Sequence, residues 1–251
     1  MFRFGFIGVL LMVLALVHFF KYRGGNYIWM YVIIFLGPIG AVVYLIVEVL
    51  PELRSTNTSF KWLGRRKRVR YLEAVVADNP SAGNYEELAD IYLEQGDYAR
   101  ARECFAKAIT SRTDIPHPFY GRALCALQMG DTAAAIPDLE KTIAIEPKHD
   151  YSRAGGLLGN AYAQMGRNED AERVFRETLR TSTLSETQFY YARFLANHGR
   201  IDESRNLALQ IVRKRETVSP QLRRVDRHWF KAAETLLKQV NSASAVAAKQ
   251  Q

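Results

Sequence analysis

The 251-residue sequence predicts an all-α protein in which a two-helix transmembrane hairpin precedes a solenoid of repeated helix pairs with capping helices. Three observations predict it. Two uncharged apolar runs fill the first 50 residues, the rest of the chain carries nearly all the charge, and four glycines recur at a near-constant interval. The 48% of hydrophobic residues is ordinary for a globular chain and decides nothing without this distribution.

Phe4 to Phe20 is a 17-residue run and Tyr27 to Val47 a 21-residue run, both without a charged side chain. About 20 residues of helix cross a hydrocarbon core of about 30 Å, so helices over about 4–20 and 27–49 are expected to span. Arg3 followed by an apolar stretch also fits a secretory leader. The bulky Val17-His18-Phe19-Phe20 then stands where small residues would be needed for cleavage, and a second apolar run follows at once. Between the runs, Lys21-Tyr22-Arg23-Gly24-Gly25-Asn26 is a short turn-forming link, which makes the helices antiparallel neighbours. Pro38 should kink the second helix, while Gly37, Gly40 and Ala41 permit close approach by the first through Gly5 and Gly8. Tyr22, Trp29 and Tyr31 suit an interfacial belt. A domain boundary is expected near Pro51.

Orientation is a matter of counting charges. Arg3 and the amino terminus nearly balance Lys21 and Arg23, but Lys61, Arg65, Arg66, Lys67, Arg68 and Arg70 follow without one acid. Positive segments beside a membrane stay inside, so both termini are expected on the cytoplasmic face of a plasma (inner) membrane. The same six side chains would hold anionic lipid headgroups at about 1 kcal/mol each, or serve as a topology signal alone.

Trp29 followed by Pro38-x-Gly40-x-x-x-Tyr44 in an apolar span resembles the N-terminal membrane domain of bacterial cardiolipin synthases and other phospholipase D-type proteins, over residues 1–50. The resemblance implies an anchor. Phospholipase D chemistry needs His-x-Lys-x-x-x-x-Asp, yet none of His18, His117, His149, His198 or His228 has lysine two positions later. This likeness leaves an alternative function, an accessory subunit of a lipid-synthesising enzyme recognised through the hairpin.

Gly96, Gly130, Gly166 and Gly199 follow one another at 34, 36 and 33 residues and each closes a helical pattern. Before and after them stand Tyr85, Leu88, Ala89, Tyr92, Ala101, Phe105 and Ala108; then Phe119, Ala123, Ala126, Ala135, Leu139 and Pro147; then Leu158, Gly159, Tyr162, Ala171 and Phe175; and, more weakly, Tyr191, Ala192, Leu195, Ser204 and Ala208. Small residues let two helices cross closely and aromatics fill the space around them. This pattern resembles the tetratricopeptide repeat, with copies starting near 82, 116, 152 and 185 across residues 82–218. Arg122 departs from the leucine of the pattern. A solenoid needs polar caps. Phe60 to Asn79, with Leu72, Val75 and Val76 inward, is expected to cap one end in the segment 51–81. Residues 219–240, with Leu222, Val225, Trp229, Ala232, Ala233, Leu236 and Leu237 inward, are expected to cap the other. The Ser/Ala/Gln-rich tail 241–251 reads as disordered.

The resemblance implies a right-handed solenoid whose concave groove binds a protein or peptide, lined by fixed positions of each first helix. Those positions hold Glu86, Asp90, Leu93 and Glu94; His117, Tyr120, Leu124, Leu127 and Gln128; Arg153, Asn160, Ala163 and Gln164; and Glu186, Phe189, Arg193, Ala196 and Asn197. Tyr120, Leu124 and Leu127 are expected to form an exposed apolar patch. Glu86 and Asp90 occupy the places where chaperone-binding relatives keep basic and amide residues, so a carboxylate clamp is not expected. The alternative is that these positions are solvated helix faces.

The chain lacks His-Glu-x-x-His, Gly-x-Ser-x-Gly and Gly-x-x-x-x-Gly-Lys, so no enzyme is expected. Gly155-Gly156-Leu157-Leu158-Gly159 falls within a repeat helix and reads as packing. Cys104 and Cys125 lack Cys-x-x-Cys spacing and read as core residues, leaving no metal or cofactor expected. Arg213, Lys214, Arg215, Arg223, Arg224 and Arg227 raise the net charge to +8, but no aromatic–basic motif accompanies them and nucleic acid is not the expected partner.

Overall fold

The structure, a computed structural model, describes residues 2–22, 28–49, 58–110 and 113–249. Among these it consists of thirteen α-helices and one π-helical turn, without a strand. The chain forms two compact units, Met1–Arg68 and Val69–Gln251. The boundary expected near Pro51, like the hairpin link at Arg23 to Asn26, lies outside the described residues.

In the first unit, α1 spans Phe2–Tyr22 and α2 spans Ile28–Tyr44, running into a π turn at Leu45–Val49. Ile28–Glu48 is long and apolar enough to cross a membrane, whereas Leu11–Phe20 is a shorter apolar helix. The longer segment is not one rod. At Gly37 the backbone takes φ 59°, ψ −133°, and the chain turns back on itself. The rings of Trp29 and Tyr44 then lie 5.5 Å apart, where fifteen residues of straight helix would part them by about 22 Å. A Cβ at Gly40 would fall 2.1 Å from the Val32 carbonyl oxygen. The close approach expected of α1 at Gly40 is therefore made by the first half of α2. Helix α1 joins through Ala15 and Phe19, buried with Ile33, Ala41 and Tyr44, and a Cβ at Gly8 would press on the Pro38 ring at 2.9 Å.

The second unit is the solenoid. Its helix pairs are α4 (Ala82–Gln95) with α5 (Tyr98–Ala108), α6 (His117–Gln128) with α7 (Thr132–Ile145), α8 (His149–Gln164) with α9 (Asn168–Leu179), and α10 (Ser185–Asn197) with α11 (Ile201–Thr217). Every first helix ends alike. Gly96, Gly130, Gly166 and Gly199 are left-handed, with φ of 74–79°. The following N–H reaches back five residues, as from Asp97 to the Tyr92 carbonyl at 2.9 Å and from Arg200 to that of Leu195 at 2.9 Å. In the first two repeats the residue after the glycine also starts the next helix, because the Asp97 and Asp131 carboxylates accept from the N–H of Arg100 and Ala134.

The small residues do what their spacing predicts. Ala89, Ala101, Ala123, Ala135, Ala171, Ala192 and Ser204 are all wholly buried where the paired helices cross. A Cβ on Gly156 would sit 2.2 Å from Thr187 Oγ1, and one on Gly155 2.3 Å from Thr178 Oγ1, so this glycine pair serves packing. Arg122, foreign to the pattern, grips the buried Asp138 of α7 through two bonds of 2.7 and 2.6 Å. An ion pair here replaces an apolar contact. The 36-residue interval has its own explanation. Asp150, Tyr151 and Ser152 form a left-handed turn, with φ of 47°, 56° and 64°, that takes up the extra residues before the helix proper begins. The Tyr120 hydroxyl donates to Asp150 at 2.6 Å and the Ser182 hydroxyl to the Tyr151 carbonyl at 3.2 Å, which hold the turn in place.

At one end α3 (Thr58–Asp78) buries Val69 and Leu72 against Leu88, Ile91 and Tyr92. At the other, the expected single helix is two, α12 (Pro220–Val225) and α13 (Arg227–Lys249). Phe230, Ala233, Leu236 and Val240 cover Ala192, Ala208 and Ile211. Leu222 and Val225, expected inward, are 40% and 76% exposed, because the break at Asp226 turns the short helix off the core. The tail read as disordered continues α13 to Lys249, since its alanines are the strongest helix formers.

Candidate functional site

The repeat brings residues 27 to 33 apart in sequence together in space, and the concave face is built from such pairs. His117 Nε2 lies 2.9 Å from Asp90 Oδ1 and 3.8 Å from Glu86. The Asp90 carboxylate holds the His117 imidazole above its usual pKa, with burial opposing. Arg153 donates to Glu186 at 2.6 Å, and the Tyr190 hydroxyl donates to the same carboxylate at 3.1 Å. Arg193 donates to Asn160 Oδ1 at 2.8 Å. Gln164 accepts from the Thr132 hydroxyl at 2.9 Å.

Tyr120 is the main correction. It is only 5% exposed, its hydroxyl held by Asp150, and Leu124 and Leu127 are packed against the core around it. The apolar patch expected there is closed, because the left-handed turn at Asp150–Ser152, at the start of α8, covers the ring. Burial and the Asp150 carboxylate push the Tyr120 phenol well above its usual range. Glu94 and Gln128 stand exposed, and with Glu86 and Asp90, both facing His117, the first half of the face is acidic.

The open part lies further along. Phe189, Arg193, Ala196 and Asn197 of α10 face Leu236 and Gln239 of α13 across a cleft of about 510 Å³. Beside it, Trp229 packs on Phe189 and Tyr190, with ring centroids 5.7 and 5.4 Å apart. The Arg193 guanidinium lies 5.7 Å from the Phe189 ring and 5.5 Å from the Tyr190 ring. One of its five N–H donors is used on Asn160. An apolar floor with one oriented cation at the rim suits a side chain of a peptide or helix, with a carboxylate or carbonyl beside it. The contribution of α13 was missed by repeat positions alone, which stop at residue 218. Its signal was the amphipathic stripe through Trp229, Ala232 and Leu236.

Cys104 and Cys125 are buried and unpaired, and burial pushes the Cys125 thiol up to about 11, so it stays a protonated core residue. Of the predicted basic run, Lys67, Arg68 and Arg70 are exposed on α3, and Lys61, Arg65 and Arg66 belong to the same helix.

Family models described as tetratricopeptide repeat match residues 69–116, 86–150 and 157–220, and in a second form 126–183. The chain belongs to the tetratricopeptide repeat family. Among curated relatives, it is 31% identical to DnaJ homolog subfamily C member 3 of Mus musculus over 114 residues, 45% of this chain and 22% of that protein. It is also 31% identical to tetratricopeptide repeat protein 36 of Bos taurus over 94 residues, 37% of this chain and 50% of that one. The chain thus spans half or less of the length of these relatives. A tetratricopeptide repeat protein from Parabacteroides merdae shares the fold at TM-score 0.59 and 16% identity, over 79% of this chain and 76% of that one. YrrB, a tetratricopeptide repeat protein with an unusual peptide-binding site, does so at TM-score 0.54 and 15% identity, over 64% and 80%. At such identity these likenesses show the fold alone. As a member of this family, the chain is a scaffold for protein interaction.

Proposed function

We propose that the protein is a membrane-held, non-catalytic adaptor that recruits a peptide or helix of a partner protein into the cleft between α10 and α13. The observation that carries this is the cleft itself, where the half-buried Phe189 and Ala196 line an apolar floor over the buried Leu236 beside Arg193. The test is co-purification of full-length protein with its partner. Phe189→Ala or Arg193→Ala should weaken the complex about thirtyfold, the size of an interface hot spot of about 2 kcal/mol. Unchanged recovery by both variants would remove the cleft from the interface.

Membrane attachment in this proposal rests on the apolar residues of α1 and α2, and the basic run from Lys61 to Arg70 would keep the solenoid cytoplasmic and meet anionic headgroups. Two geometries follow. With Ile28–Glu48 straightened in the bilayer the chain crosses twice, and both termini are cytoplasmic. Folded back at Gly37, the segment is re-entrant, only α1 crosses, and the amino terminus lies opposite the solenoid. Reporters fused at each terminus decide: two cytoplasmic signals support the double crossing, and signals on opposite sides support the fold-back. A solenoid reporter active only outside the cytoplasm would contradict the orientation in either form.

A further inference from the structure

Where α11, α12 and α13 meet, a second cleft of about 600 Å³ opens, away from the concave face. It is lined by Arg215, Arg223, Arg224, Arg227 and Lys231, with one acid, Glu234. That acid is already taken, bonded to Arg215 at 3.0 Å. The neighbouring Asp226 accepts from the Ser185 hydroxyl at 2.7 Å. Arg223 reaches a carbonyl, that of Val218, at 3.4 Å, and Arg224, Arg227 and Lys231 form no ion pair among the described residues. Most arginines of the repeats are paired instead: Arg102, Arg153, Arg173 and Arg205 each face a carboxylate within 3.2 Å. Five cations around one concavity repel one another unless an anion is present, and forked guanidinium groups match the oxygens of a phosphate two at a time.

We propose that this cleft binds a phosphate-bearing anion, independently of the groove. The ligand is a compact one. A nucleic acid strand would call for aromatic faces to stack its bases, but Phe230 is buried at 2% exposure and Trp229 is engaged with Phe189 and Tyr190. The phosphate belongs either to a lipid headgroup or to a free phosphate ester. Leu222 and Val225, exposed on the same short helix, give the headgroup something apolar to lie beside.

The experiment follows hydrogen exchange across residues 219–231 of full-length protein in neutral detergent. One arm adds inorganic pyrophosphate. The other compares phosphatidylcholine vesicles with vesicles containing phosphatidylglycerol. The site predicts slower exchange in at least one arm. Protection by pyrophosphate identifies a free-phosphate site, and protection by phosphatidylglycerol alone identifies a headgroup site. Each basic side chain at an anionic surface changes binding about fivefold, so Arg224→Glu/Arg227→Glu/Lys231→Glu should weaken it at least tenfold. Exchange in the repeats should be unchanged in that variant, showing that it is folded. Arg180→Glu/Arg213→Glu, two exposed arginines outside the cleft, should change binding less than twofold. No protection in either arm, or an equal loss in the second variant, overturns the proposal.

Discussion

The two halves of the concave face are made of the same repeat and use their polar residues in opposite ways. In the first half they hold the protein together: Asp90 with His117, Tyr120 with Asp150. In the second, Phe189 and Arg193 border a cleft closed on its far side by α13. A groove position defined by the repeat is a place, and its neighbours decide whether it is a site. Substitutions in the first half should therefore change stability and leave the partner bound, while those in the second should do the reverse.

The largest expected effect on stability tests the ion pair behind the first half. Arg122→Leu leaves Asp138 buried without its cation, and since the arginine side chain is 29% exposed the loss should be about 2–3 kcal/mol in chemical denaturation. The double change Arg122→Leu/Asp138→Leu should recover most of it. If the double variant is as unstable as the single, the pair is not what occupies the leucine position. Next in size is the pair already named, Phe189→Ala and Arg193→Ala, which should lower partner affinity about thirtyfold with little change in unfolding midpoint. Tyr120→Phe should remove about 1 kcal/mol of stability by breaking the bond to Asp150, with partner affinity unchanged. A loss of affinity there would reopen the first half as a binding surface.

The smallest effect is a pH dependence. Asp90 raises the pKa of His117 above the ordinary 6.5, so the pair contributes stability fully below that value and loses it as pH rises through the raised one. Thermal unfolding of the wild type and His117→Gln should differ most at acid pH and converge toward alkaline pH. A difference growing with pH would contradict the assignment.

The fold was legible because its determinants are local and recur. Glycines that end helices, alanines that let helices cross and aromatics that fill the gaps each follow from one residue in one position, as at Gly96, Ala101 and Phe105. What was not legible depended on contacts between segments. Composition shows that Ile28–Glu48 is apolar, but the reversal at Gly37 depends on whether Gly40 meets Val32 or another helix. Likewise Tyr120 looked exposed by position, and only the turn at Asp150 to Ser152, two residues longer than the period allows, covers it. The C-terminal cap resembles one helix in sequence because its apolar stripe runs on through Leu222 and Val225, which the break at Asp226 turns outward. Whether the apolar unit does more than hold the proposed adaptor at a membrane is answered by exchanging residues 1–50 for an unrelated anchor. Retained function supports the adaptor, and loss of a membrane partner with the cleft intact supports an accessory subunit.

The most direct measurement of the central claim is site-specific photo-crosslinking in full-length protein. A photoreactive residue replaces Asn197 at the cleft or, as control, the exposed Glu169 on α9. One partner adduct is expected from position 197, lost in Phe189→Ala, and none from 169. An adduct formed equally from both positions, or one from 197 that survives Phe189→Ala, would contradict it.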